Sequence, residues 1–287
     1  MSAAAARFLA LADRGGRRGW RYWVGLPAIV VLWLQGGGEA YEAALVLPLG
    51  VVTEFVALNA SILVLLVATV LVVTLLHRRS WRTLVTPYPA IDWRRMAAAA
   101  AVWGGLLLLF ALIEAALYPG RYVWTFEPAL WWPFAAAVLL LTPLQCFAEE
   151  LAFRGYLVQG LGRLWAAPWF VIIASALLFT LPHLLNPEVG AYGFWLMAAN
   201  YFAMGLFLAW ITLRDGRLEL AIGAHAANNV LLALTVNYEA SVFDTPSMFT
   251  ADTLDPAYSL LTLVISAAVF ALWAFRTRAP DRAPRHG

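Results

Sequence analysis

The chain has one cysteine, Cys146, and no lysine, and only 13% of its 287 residues carry a charge. A single thiol excludes an internal disulfide and a cysteine-rich metal site. Cys146 lies three residues before Glu149, but nothing nearby would activate a thiol, so it reads as buried and inert. All basic side chains other than histidine are arginines, gathered in short loop clusters. No basic face with interleaved aromatics exists, which excludes nucleic acid as a partner. Long polar stretches are also missing, so no separate soluble domain can form. What remains is 63% hydrophobic, a composition for a polytopic membrane protein.

A membrane helix needs about 20 mostly apolar residues. Runs of that kind are Tyr22–Leu34, Val46–Leu76, Met96–Tyr118, Ala129–Val158, Ala167–Pro182, Tyr192–Leu213, Leu218–Val236 and Ala257–Phe275. The fold expected is all-α with about eight transmembrane helices. Cytoplasmic loops collect arginine. Arg14 to Arg21, Arg78 to Arg95, Arg163, Arg214 with Arg217, and Arg276 to Arg285 all fall on one side of the count, with both termini cytoplasmic. Glu39 with Glu42, Glu188, and Glu239 to Asp255 fall on the other. Residues 1–21 read as an uncleaved cytoplasmic tail, 22–275 as one transmembrane domain with its core at about 141–230, and 276–287 as a second cytoplasmic tail. Many of the tryptophans lie near span ends, as an interfacial belt requires.

Against this background, Glu149, Glu150 and Arg154 stand inside an apolar stretch, and His183 and His225 inside the next ones. Ionisable groups in a bilayer are costly and mark functional sites. Glu150 and Arg154 are four apart, so they share a helix face and can neutralise each other. Glu149 points about 100° away and is left to face something else. His225 and Asn229 share a face in the same way, and Asn228 looks elsewhere. Taken singly, an ion pair can lock two helices and a histidine at a span end can be satisfied by backbone. Together, in three helices, they point to chemistry. His77 and His286 sit among arginines and read as solvated. Glu114 and Glu219 read as structural and Asn200 as a weaker candidate for lining a cavity.

Glu-Glu-x-x-x-Arg, then Phe-x-x-x-His, then His-x-x-x-Asn, in that order, resemble the CAAX protease and bacteriocin-processing family. These are intramembrane endopeptidases related to the type II CAAX prenyl protease. The first motif is Glu149, Glu150 and Arg154, the second Phe179 and His183, the third His225 and Asn229. The resemblance covers about Leu141 to Asn229. It implies that Glu149 and His183 activate a water, that His225 and Asn229 stabilise an oxyanion, and that Glu150, Arg154 and Phe179 support the site. Its implied partners are the bilayer and a membrane-associated protein or peptide. No cofactor is favoured. If zinc were bound, Glu149, His183 and His225 would be the ligands, although the zincin spacing is absent. Two other readings stay open: a proton-coupled transporter and a catalytically silent, immunity-like membrane protein. The arginine- and alanine-rich composition points to a GC-rich bacterium and its cytoplasmic membrane.

One geometric difficulty follows from these spans. Glu149 and His225 fall about 10–14 Å from the cytoplasmic face at 1.5 Å per residue, whereas His183 falls near the outer face. Convergence requires a helix broken at Pro143, Pro168 or Pro182, or different boundaries between 160 and 190.

Overall fold

A computed structural model describes residues 1–15, 19–242 and 245–276. Arg17, Arg18, Asp244 and the C-terminal tail from 277 lie outside the described residues. Eleven helices occur among those described: α1 (Ala3–Ala10), α2 (Trp20–Leu45), α3 (Thr53–Leu71), α4 (Trp93–Leu117), α5 (Pro128–Glu150), α6 (Val158–Leu164), α7 (Pro168–His183), α8 (Pro187–Ala191), α9 (Phe194–Asp215), α10 (Glu219–Thr235) and α11 (Pro256–Arg276). The expectation of an all-helical chain needs one correction. Tyr122–Trp124 (β1), Val236–Tyr238 (β2) and Phe249–Ala251 (β3) form a small sheet in the order β1-β3-β2. β1 pairs antiparallel and β2 parallel to β3.

Five helical segments are long and apolar enough to cross a membrane: Gly50–Leu76, Trp93–Leu117, Pro128–Leu164, Phe194–Asp215 and Pro256–Arg276. The expected count of eight is therefore larger than this set. α7 and α10 are 16 and 17 residues long, at the short end of what a crossing takes. α2 is 26 residues long and runs through Gly36, Gly37 and Gly38 to Leu45, but it carries Arg21, Glu39 and Glu42. The first apolar run, Tyr22–Leu34, ends short of this triplet. α2 packs along α3, where Gly37 lies against Ser61 and Gly36 against Val64.

The boundary that matters most lies at residue 158. α5 does not stop there. It passes through a seven-residue π-helical turn, Leu151–Leu157, and continues as α6 to Leu164. Three residues then turn the chain back into α7, whose first residue is Pro168. Glu149 stands about 22 Å up from Leu164, and His183 about 22 Å up from Pro168, at 1.5 Å per residue. The two limbs are matched in length, so both residues reach the same level without a break in α7. The depth difficulty came from ending the helix six residues early.

Two glycines set the spacing of the helices that carry the site. A Cβ on Gly205 of α9 would sit 3.1 Å from Ala176 Cα, so α7 and α9 touch backbone to backbone there. A Cβ on Gly223 of α10 would overlap Met96 O of α4. The core divides accordingly. One cluster, with Phe8, Leu84, Leu151, Tyr156 and Leu218, joins the arginine-rich end to the π-helical turn. A second, with Trp103, Leu208, Leu220 and Phe270, joins α4, α9, α10 and α11. Residues 3–13 are folded into the first cluster, with Phe8 fully buried.

Candidate active site

The π-helical turn begins at the residue after Glu150. Such wide turns are commonest at functional positions, because they re-aim side chains within an otherwise regular helix. Here Arg154 Nη1 donates to Glu150 Oε1 at 2.8 Å, and both side chains are fully buried. Glu150 Oε1 also accepts from His225 Nδ1 at 2.8 Å, so α5 and α10 are joined by a carboxylate shared between a guanidinium and an imidazole. The guanidinium carbon lies 4.0 Å from the centroid of the Phe179 ring of α7. Arg154 thus touches the second motif through Phe179 and the third through Glu150.

With Nδ1 committed to Glu150, the Nε2 of His225 faces Glu149 Oε2 at 3.8 Å and Asn229 Nδ2 at 3.4 Å. The other Glu149 oxygen accepts from Gln145 Nε2 at 3.1 Å. The amide of Asn229 is oriented from behind. Trp103 Nε1 donates to Asn228 Oδ1 at 3.3 Å, and Asn228 Nδ2 donates to Asn229 Oδ1 at 3.1 Å. That chain turns the Asn229 N–H groups toward His225 Nε2.

His183 is the last residue of α7. Its Nδ1 donates to the Phe179 carbonyl at 2.8 Å, which leaves Nε2 as the free nitrogen. Its ring lies 4.5 Å from Phe179 and 4.7 Å from Tyr201 of α9, centroid to centroid. Phe179 also meets the His225 ring, edge to face at 6.2 Å. His183 lies within electrostatic reach of Glu149, His225 and Arg154. All seven motif residues therefore belong to one cluster. Glu150, Arg154 and His225 form its buried floor, and His183 and Asn229 are partly open.

Among the described residues, no three His, Cys, Asp or Glu side chains stand close enough together to hold a metal ion.

Some expectations change at this level. Asn228 looks toward Trp103 of α4, and from there it is the strut behind Asn229. Gln145, Trp103 and Tyr201 carry no motif, yet each contacts a motif residue or its strut. Gln145 could have been found from its place one turn before Glu149 on the same face. Asn200 is not a cavity residue: its side chain donates to Leu196 O and Pro256 O, tying α9 to α11. Glu114 pairs with Arg121 at 2.6 Å, as a structural residue should. His77 is not solvated. It is 2% exposed and bonded to Tyr156 Oη at 2.9 Å.

The comparisons with known proteins agree with this geometry. The family described as type II CAAX prenyl endopeptidase, Rce1-like, matches residues 128–231, from the first residue of α5 to Leu231 in α10. All seven motif residues and the strut Asn228 lie inside that stretch. The likeness also extends beyond it. Over 208 residues the chain is 33% identical to the uncharacterized protein YyaK of Bacillus subtilis (strain 168), covering 71% of this chain and 69% of that protein. Several apolar helices, a buried Glu-Arg-His floor and this shared sequence lead to one conclusion: the chain belongs to the Rce1-like family of type II CAAX prenyl endopeptidases.

Proposed function

We propose that this protein is an intramembrane endopeptidase that hydrolyses a peptide bond of a membrane-associated protein or peptide. The observation that carries the reading is the meeting of Glu149, His225 and Asn229 around one point, with His183 brought to the same level by α7. In this reading Glu149 takes the proton of a water held between it and His183. The hydroxide attacks the scissile carbonyl carbon. The oxygen of the tetrahedral intermediate gathers negative charge next to the His225 imidazole and the Asn229 amide N–H. Collapse breaks the C–N bond, and the proton on Glu149 passes to the leaving amine. Glu150 fixes the His225 ring through Nδ1, and Arg154 Nη1 holds the same Glu150 oxygen in place.

The reading is metal-free. It extends to the placement of the chain: α2, α7 and α10 complete eight crossings with the five longer segments, and the arginine-rich end faces the cytoplasm of a bacterial cell. The α5–α6 and α7 limbs then set the cleavage point inside the bilayer, where apolar walls exclude bulk water from the intermediate.

The test is hydrolysis by the purified, reconstituted protein. An internally quenched farnesylated CAAX peptide and an unprenylated hydrophobic peptide serve as probes. Cleavage is expected for the wild type and is expected to be lost in Glu149→Ala and His183→Ala. Activity that survives both substitutions would overturn the assignment. Incubation with a zinc chelator should leave the rate unchanged, and loss restored by added zinc would overturn the metal-free mechanism.

A further inference from the structure

The seven motif residues do not explain what holds His183 in place. Its ring ends a helix and is partly open, and its own backbone contact, Nδ1 to Phe179 O, leaves the ring to be steadied by its neighbours. On the α9 side that neighbour is Tyr201, with the two ring planes 38° apart. Tyr201 is itself tethered. Its hydroxyl donates to Glu188 Oε1 in a very short contact and accepts from Asn186 Nδ2 at 2.9 Å. Asn186 Nδ2 also approaches Glu188 Oε1 at 3.4 Å. Glu188 is 3% exposed, and its second oxygen has no partner among the described residues. A buried carboxylate held in an incomplete set of hydrogen bonds is costly. Packing alone would be served better by an apolar residue at this position.

Resting on the reading of His183 as a water-activating group, we infer that Tyr201 is a positioning residue for His183 and that Glu188 acts through the Tyr201 hydroxyl. The order of the chain supports the pairing. α7 ends at His183, Asn186 and Glu188 follow in the connection and α8, and Tyr201 lies two turns into α9. The connection thus folds back onto the helix end it leaves. The gap between α7 and α9 is already fixed one turn lower by the backbone contact at Gly205. Tyr201 and its tether then set how the imidazole tilts above that contact. Displacing a reacting group by about 1 Å can cost about 10²-fold in rate, so a tether of this kind influences turnover without touching substrate.

The hydroxyl and the carboxylate act in series, which gives the inference a distinctive signature. Tyr201→Phe keeps the ring and loses the tether, and Glu188→Ala loses the same tether from the other end. Each should lower turnover of the farnesylated peptide by about tenfold with KM unchanged, and the double variant should be no slower than either. Glu188→Gln retains an acceptor oxygen for the Tyr201 hydroxyl and should recover most of the wild-type rate. Tyr201→Ala removes the ring and should approach the loss seen in His183→Ala. Additive effects of the two single changes, or wild-type turnover in Tyr201→Ala while His183→Ala is inactive, would overturn the inference. Cleavage that survives His183→Ala sinks the active-site reading instead. A readout independent of turnover is carbethoxylation by diethyl pyrocarbonate, followed by peptide mass. The chain has four histidines, so each is assignable. Labelling of His183 should accelerate in Tyr201→Phe and Glu188→Ala while that of His225 stays constant. Equal labelling of His183 in the wild type and both variants would overturn the inference even if neither peptide is a substrate.

Discussion

Two buried clusters in this molecule contain an arginine and a histidine, and only one has the parts of a reaction centre. At the arginine-rich end, Arg79 donates to Leu11 O, Gln159 Oε1 and Tyr22 Oη, and His77 bonds Tyr156 Oη. Gln159 passes its own amide on to Thr83 O. The acceptors there are carbonyls and phenols, no carboxylate takes part in these bonds, and the histidine is sealed. At the other cluster, Arg154 and His225 share a carboxylate, a second carboxylate stands beside them, and His183 and Asn229 are reachable. Charge inside an apolar protein is therefore not sufficient to mark a site. What separates the two is a second carboxylate left over after the first has been neutralised, with partly open donors around it. The sealed cluster serves the fold: through Leu11 and Gln159 it fastens the N-terminal segment to the base of α6.

Breaking each cluster separately should sharpen that contrast. The largest effect is expected on the open one. Glu149→Gln should lower peptide turnover by about 10³-fold, the range of a lost general base, with thermal stability in detergent near that of the wild type. A comparable fall in stability would assign Glu149 to the scaffold instead. Next in size is Arg154→Met, which strands Glu150 in an apolar interior and should destabilise the protein by about 3–5 kcal/mol. Adding Glu150→Gln should restore much of that stability but not turnover, because His225 loses its anionic partner. Recovery of both together would mean that Glu150 is only a brace. In the sealed cluster, Arg79→Met should cost about 2–3 kcal/mol through its lost charge-assisted bonds and leave turnover per folded molecule unchanged. A selective loss of turnover would couple the two clusters. The smallest expected effect concerns pH. Burial, with Arg79 and Arg21 adding to it, lowers the His77 imidazole from its ordinary 6.5 to about 4. Between those values the unfolded chain binds the extra proton, so the contribution of neutral His77 is present above about pH 6.5 and is lost as pH falls toward 4. Melting temperature should fall over that window in the wild type and fall less in His77→Gln. Parallel curves would exclude the link.

The motif residues could be read from the sequence because each breaks an apolar run, and four-residue spacings fix their faces whatever the tertiary structure. Their supports could not. Trp103 lies 125 positions from Asn228, and Tyr201 is aromatic in a chain where most aromatics pack or line an interface. Glu188 reads as one more acidic residue in a loop. The level of His183 was hidden by Arg163, which looks like a loop residue but lies in α6, paired with Asp13 at 2.5 Å. A π-helical turn leaves no mark in hydropathy, so the continuity of α5 with α6 could not be read either. His77 looked solvated because its sequence neighbours are arginines. Its actual neighbours, Tyr22 and Tyr156, come from 55 positions before it and 79 positions after it.

The small sheet has a mechanical consequence. β1 follows α4 and leads into α5, β2 follows α10, and β3 precedes α11, so its ladder binds together the ends of the helices that carry Trp103, Glu149 and His225. Sliding any of these past another must first unzip that ladder. The arm from α7 to α9 contributes no strand and reaches the sheet region through Tyr192, whose hydroxyl donates to Glu239 O. The helices that carry Glu149 and His225 are thus clasped at one end by strands, whereas His183 is held by the packing of α7 on α9 and of α9 on α11.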